Sequence, residues 1–300
     1  MNITSAHIAA IVAFTGWGLF PLYWKIFSEV PAWDLFGQRL LWSFITLSVY
    51  FIFKGKLWSV LKNVWQNKAV RWKLVLSAFL ISSNWLLYIY AVNNGKVLEA
   101  SMGYFLNPLI NVFVGWFILK ENIRPTQWPA ILLALIAIII MGFQTDLNNF
   151  PWIAIVLSLT FAFYGLVRKT TQIGSMEGLT FETYVVIIPL LLFWTTQGTT
   201  PLTVYETLPV SKSLILVLSG LITCIPLVLF AFSAKQLKFQ TLGFIQYLSP
   251  SFKFLCGLII LKEPLSPEKL QTFFLIWIAL AWYTLESMYQ LKRNYRGLPR

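Results

Sequence analysis

Three ionisable side chains interrupt long apolar runs in this chain: Arg39, Glu182 and Lys253. A charge inside a lipid-solvated helix is costly, so each is a functional suspect by default. Arg39 follows Gln38 near the start of its run. It either snorkels to the nearer surface or meets an anionic substrate group or a carboxylate. Glu182 lies toward the inner end of its run. It is either an interfacial carboxylate facing water or a proton-coupling acid. Lys253 stands three residues past Pro250, too deep to snorkel, and calls for a cavity or an acidic partner such as Glu182. Asn84, Tyr88 and Ala91 share one helical face by i, i+4, i+7 spacing, with Trp85 adjacent. An amide among aromatic rings at mid-membrane depth suits a ligand wall, and Gln246 with Tyr247 offers a second one. The expected substrate pathway is therefore Arg39, Asn84, Trp85, Tyr88, Asn107, Gln246, Tyr247 and Lys253. Trp24, Trp33, Trp58, Trp65 and Trp72 are expected in interface belts.

Enzymatic chemistry finds little material. His7 is the only histidine, near the N-terminus, and no nucleophile triad can be built on it. Cys224 and Cys256 lie in apolar runs without metal-ligand spacing, and no glycine-rich nucleotide loop precedes a helix. No cofactor, metal or catalytic residue is expected. Glu99, at the start of a run, and Glu286, near the end of the last one, read as interfacial carboxylates.

A repeat organises these residues. The segment from Gly103 to Pro125 returns 142 positions later, with Pro108 falling on Pro250, Gly115 on Gly257, Lys120-Glu121 on Lys262-Glu263 and Pro125 on Pro267. Eight of 23 positions are identical without a gap, where apolar composition alone gives about two. The paired prolines sit about ten residues into their runs, roughly 15 Å deep. Each removes a backbone donor and frees a carbonyl, so Pro108 and Pro250 are either packing kinks or hinges in a cavity wall, with Asn107 and Ser249 just before them. Gly115 and Gly257 read as close-packing positions.

The chain has 300 residues, 58% hydrophobic and only 11% charged, against roughly 25% charged in a soluble domain. Its solvent is lipid. Ten spans of about 20 residues are expected, near 6–24, 34–53, 72–92, 97–119, 126–143, 151–167, 179–197, 213–234, 240–261 and 269–289. The first reads as a retained helix, not a cleaved signal. With the N-terminus inside, 16 Lys and Arg fall in inside loops and the tail, Arg168 and Lys169 among them, against five outside. Both termini are then cytoplasmic, and the net charge of +12 reflects retained basic loops, not nucleic-acid binding. Five spans per half force opposite orientations on the two repeat copies. The expected fold is all-α, a polytopic membrane protein of two inverted five-helix repeats, 1–147 and 148–300. Such repeats exchange roles around a site at their interface, a common plan for secondary transporters.

The segments N-W-L-L-Y-I-Y-A-V-N-N, L-E-A-S-M-G-Y-F-L-N-P, A-F-Y-G-L-V-R-K and T-L-G-F-I-Q-Y-L-S-P resemble the RarD family of the drug/metabolite transporter (EamA-type) superfamily, over nearly the whole chain. The resemblance implies ten helices in two inverted units, the bacterial cytoplasmic membrane and alternating access. It also implies a cavity formed by the third, fourth, eighth and ninth helices, with contributions from the first, second, sixth and seventh. The family label "chloramphenicol-sensitive" names a phenotype. Departures are Gln38-Arg39 where the family has His-Arg, Ser249-Pro250 where it has Gly-Pro, and Lys253 where it has a neutral residue. The expected function is a secondary transporter exporting a small metabolite or drug-like molecule, with Glu182 as coupling acid and protons as candidate coupling ion. The chain is expected as a monomer or weak homodimer in the lipid bilayer. A passive facilitator, a lipid-acting membrane enzyme and a non-transporting sensor are the alternatives.

Overall fold

A computed structural model describes residues 5–94, 96–144, 151–197, 200–260 and 267–295. Within these helices the side chains of 92–93, 97–99, 101, 144, 257, 267–269 and 291–295 are outside the description. Among the described residues the secondary structure is helical, with no strand. The long elements are α1 (Ser5–Lys25), α2 (Ala32–Phe53), α4 (Lys68–Asn93), α5 (Val97–Phe117), α6 (Trp128–Gln144), α7 (Trp152–Thr170), α8 (Ser175–Thr196), α11 (Ser219–Gln236) and α14 (Pro267–Tyr295). Shorter ones are α3 (Leu57–Gln66), α9 (Thr203–Thr207), α10 (Val210–Val217), α12 (Phe239–Gln246) and α13 (Leu248–Leu255), the last running into a π-helical turn at Cys256–Ile260. Each of the ten expected spans overlaps one helical stretch. Eight of these stretches are long and apolar enough to cross a membrane by length and composition, and Met102–Phe117 is a shorter apolar helix. The protein is a multi-pass membrane protein.

Proline explains where helices begin and break. Pro31 and Pro151 precede α2 and α7, Pro209 precedes α10, and Pro267 opens α14, positions where the missing N–H costs nothing. Pro250 cannot serve the carbonyl of Gln246, and the ninth expected span is divided there into α12 and α13. Pro108 lies inside an unbroken α5. Hydrogen bonds gather the helix ends into two groups. At one end, called basic below, Lys73 Nζ donates to the Thr170 carbonyl at 3.2 Å and Lys169 Nζ to the Leu237 carbonyl at 2.5 Å. At the opposite end Gln38 Nε2 donates to the Pro201 carbonyl at 2.6 Å and Tyr23 Oη to the Ile215 carbonyl at 2.8 Å. Residues 200–212, between the seventh and eighth expected spans, are thus anchored in part through α9, where Tyr205 Oη also donates to Gln38.

Small residues set how closely the helices approach. Ala6, Ala9, Ala10 and Ala13 line one buried face of α1, and Ser233 Oγ of α11 reaches the Ala6 carbonyl at 2.8 Å. Gly243 of α12 lies so near α5 that a Cβ there would stand 2.5 Å from the Pro108 carbonyl oxygen. Gly243→Leu is therefore expected to force α12 off α5 and cost about 1–3 kcal/mol. A lowered melting temperature of the purified protein, with Gly243→Ala milder, is the check.

Candidate functional site

A cavity of about 380 Å³ opens among α1, α2, α4, α5, α7, α11 and the α12–α13 break. That is within the ~300–1,000 Å³ range of small-molecule sites. Its walls come from the second half of α1, the first half of α2, the later half of α4 and residues 104–107 of α5. It therefore occupies the half of the bundle opposite the basic end. Toward the basic end the aromatic rings of Phe14, Trp17, Phe161, Tyr164 and Phe230 close on one another at 5.3 to 6.0 Å.

Seven of the eight expected pathway residues line this one space: Arg39, Asn84, Trp85, Tyr88, Asn107, Gln246 and Lys253. Arg39 lies between the rings of Trp24 and Trp85, with its guanidinium carbon 5.2 Å and 5.0 Å from their centroids. Its Nε donates to Thr223 Oγ1 at 3.3 Å. It does not snorkel to a surface: the two indoles and the threonine give it an internal seat. Lys253 Nζ sits 3.9 Å from the centre of the Tyr104 ring. Asn84 donates to the Leu157 carbonyl and to Thr160 Oγ1 at 2.7 and 2.9 Å, which fixes its amide against α7. Gln246 accepts from Asn111 Nδ2 at 2.6 Å. Asn107 is 3% exposed, and its Oδ1 has no partner among the described residues. Ser249 and Pro250 also line the space, while Pro108 does not.

Several expectations are corrected. Tyr247 points away from the cavity into the packing around Phe244 and Phe105, because neighbours on a helix diverge by about 100° and Gln246 takes the inward position. Ala91 packs with Ala100 and Ile153 beyond the end of the cavity. Trp24 is a cavity wall, not a membrane belt. Glu182 neither faces water nor reaches Lys253. It is 2% exposed, pairs with Arg168 Nη1 at 3.2 Å and accepts from Ser77 Oγ at 2.5 Å, outside the cavity. Arg168, expected in an inside loop, is fully buried in the last turn of α7 and also donates to the Ser175 carbonyl at 2.8 Å. Pairing offsets part of the desolvation of both groups, while Arg168 Nε and Glu182 Oε2 have no partner among the described residues. Glu286 forms a two-point bond to the partly exposed Arg124 at 2.8 and 2.7 Å. Glu99's side chain, the Lys262-Glu263 pair and the Lys269 side chain lie outside the described residues.

Two further side chains are not among the expected pathway residues. Tyr104 stands one turn before Asn107 on the same face of α5, so i, i+3 spacing from Asn107 was an available signal. Glu121 was marked by the repeat alone, with no role given to its carboxylate. Lys120 adopts a left-handed conformation, φ 52°, and Glu121 N–H turns back to the Gly115 carbonyl at 2.9 Å. That turn aims the carboxylate at the start of α12, where it accepts from the backbone N–H of Phe239 at 2.7 Å and of Gln240 at 3.1 Å. Lys169 Nζ stands 3.9 Å from the same carboxylate. Gly115 leaves room for it: a Cβ there would lie 2.8 Å from Glu121 Oε2.

Known proteins resemble the chain throughout. The EamA-like transporter family matches residues 4–143. Protein RarD of Escherichia coli is 36% identical over 96% of both chains. An uncharacterized transporter of Pseudomonas aeruginosa is 39% identical over 97% of both, and an uncharacterized transporter of Bacillus subtilis is 38% identical over 94% of both. A solved structure described only as "Crystal structure of protein" superposes with a TM-score of 0.73 over 95% of this chain and 99% of its own, at 18% identity, which speaks to the fold alone. With its apolar helices, the family match and relatives at 36–39% identity over at least 94% of both chains, the chain belongs to the RarD family of EamA-like transporters.

Proposed function

We propose that this protein is a secondary transporter that moves a small organic molecule by alternating access, in the direction of export, with a gradient as its only energy source. The observation that carries the reading is the cavity itself. One space is walled by helices from both halves of the chain, lies in one half of the membrane and is sealed toward the basic end by packed rings. The positive-inside rule assigns that basic end to the cytoplasm, with both termini there and the protein in the bacterial inner membrane. The conformation is then one that faces outward. The 142-residue repeat supports two inverted five-helix units, 1–147 and 148–300, whose exchange of roles would give the inward-facing state. Ten crossings, not eight, follow on this reading, with α5 and α14 as the remaining two. Protons are the candidate coupling ion, and Glu182 is not assigned to that role because its carboxylate is engaged with Arg168. The partners are a small-molecule substrate and the bilayer, without nucleic acid, and the unit is a monomer or weak homodimer. No catalytic step is proposed.

The test uses purified protein in liposomes loaded with a bacterial metabolite extract, with and without a proton gradient. Mass spectrometry records what leaves. Escape of one compound class through the intact protein, lost in Arg39→Ala, is the expected outcome. Equal release from empty liposomes and from liposomes with protein would count against transport.

A further inference from the structure

Resting on the transport reading, we infer that the cavity takes an aromatic organic anion and rejects the corresponding amines. Among the described lining residues two are cationic, Arg39 and Lys253, and none is acidic. Four cations elsewhere have a carboxylate: Arg124 has Glu286, Arg168 has Glu182, Lys169 has Glu121 and Lys212 has Glu29. Neither cavity cation has an ion-pair partner among the described residues. Both side chains are half-buried in the cavity wall, and a partly desolvated charge without a counter-charge is unfavourable, so an entering anion gains from both. An ammonium group would add a third positive charge to the same enclosed space.

The two cations are held differently. The Arg39 guanidinium carbon lies over the Trp24 and Trp85 rings, and its Nε is tied to Thr223. Its two Nη groups, the edge that binds carboxylate or phosphate with two parallel bonds, have no partner among the described residues. Lys253 is a point charge over the Tyr104 ring, able to swing toward a second oxygen. Nine of the lining side chains are aromatic, which suits a flat apolar body by stacking and dispersion. Together these define an aromatic acid.

The test is calorimetric and thermal-shift titration of the purified full chain with three probes sharing one skeleton: 4-hydroxyphenylacetate, 4-hydroxyphenylacetamide and tyramine. The acid is expected to bind saturably and at least tenfold tighter than the amide, and tyramine not at all. Lys253→Gln is expected to weaken the acid at least tenfold while sparing the amide, and Lys253→Arg to retain it. Without ligand, Lys253→Gln is expected to melt above the wild type, because an unpaired internal cation is gone. The inference is overturned if tyramine binds as tightly as the acid, if acid and amide bind alike, or if the acid does not saturate a protein that keeps its thermal transition. Counterflow of the bound acid separates the two claims. An acid that binds without ever exchanging across the liposome defeats the transport reading and leaves the anion selectivity standing. Failure of the acid to bind, with metabolite escape intact, does the reverse.

Discussion

Arg168→Ala is expected to reduce the folded yield sharply and to lower stability by about 3–5 kcal/mol, the cost of leaving a buried carboxylate without its partner. Both members of the pair are buried to within 2% of complete exclusion, so solvent screening offers no discount. The substitution strips Glu182 of its cation and the Ser175 carbonyl of a donor, while Ser77 alone continues to serve the carboxylate. Glu182→Gln is expected to destabilise as well, since it keeps an acceptor for Ser77 but strands the guanidinium. Replacing both residues by methionine should recover much of the loss, because two apolar side chains carry no desolvation penalty. The check is a thermal melt of wild type, both single variants and the double variant, combined as a double-mutant cycle. A Glu182→Gln protein as stable as the wild type, yet deaf to a proton gradient, would contradict this and restore Glu182 as a coupling acid. Gly178 provides an independent probe, since any side chain there would collide with the Arg168 guanidinium.

This pair shows where sequence reasoning reaches its limit. Arg39 and Lys253 were legible because each stands alone in an apolar run, and lipid leaves a lone charge few options. Asn84, Trp85 and Tyr88 were legible through helical spacing, and the helix positions through hydropathy and proline. Arg168 was not. It sits among polar residues at the end of its apolar run, where composition suggests a loop. Its burial depends on Glu182, 14 positions later, lying across the α7–α8 turn. Tyr247 failed for a geometric reason: next to a true cavity residue in sequence, it is rotated out of the cavity by the helix. Trp24 failed because an indole near a helix end suits a membrane belt and a cation seat equally well, and only the position of Arg39 on α2 decides between them. The repeat marked Glu121 through its copy at Glu263 without showing what the carboxylate does. Its partners are backbone N–H groups, which no side-chain pattern records.

That carboxylate carries the other large expected effect. In the outward-facing reading the basic end must be closed, and Glu121 ties the first half of the chain to the second there. It holds the start of α12 by two charged hydrogen bonds and lies near Lys169, which itself donates to the Ala234 and Leu237 carbonyls. Hydrogen bonds to a charged group contribute about 1.5–3 kcal/mol each, and a carboxylate at a helix start gains further from the helix dipole. Glu121→Gln keeps the shape but offers one oxygen in place of two and turns an NH₂ group toward an N–H. Losing even ~1.4 kcal/mol from the closed state multiplies the open population tenfold. Glu121→Gln is therefore expected to raise access from the basic end at least about tenfold. The measurement uses a protein without its native cysteines and a single reporter, Leu242→Cys, which is fully buried three residues into α12. A membrane-impermeant maleimide applied from the basic side should label it at least about tenfold faster in Glu121→Gln. A second reporter, Ser249→Cys in the cavity, should be labelled more slowly from the opposite side, because one population grows at the expense of the other. If both reporters become more reactive, the variant has loosened the bundle and Glu121 is structural support. If neither rate moves beyond twofold, the carboxylate does not hold the closed state, and closure rests on the packed rings of Phe14, Trp17, Phe161, Tyr164 and Phe230 alone.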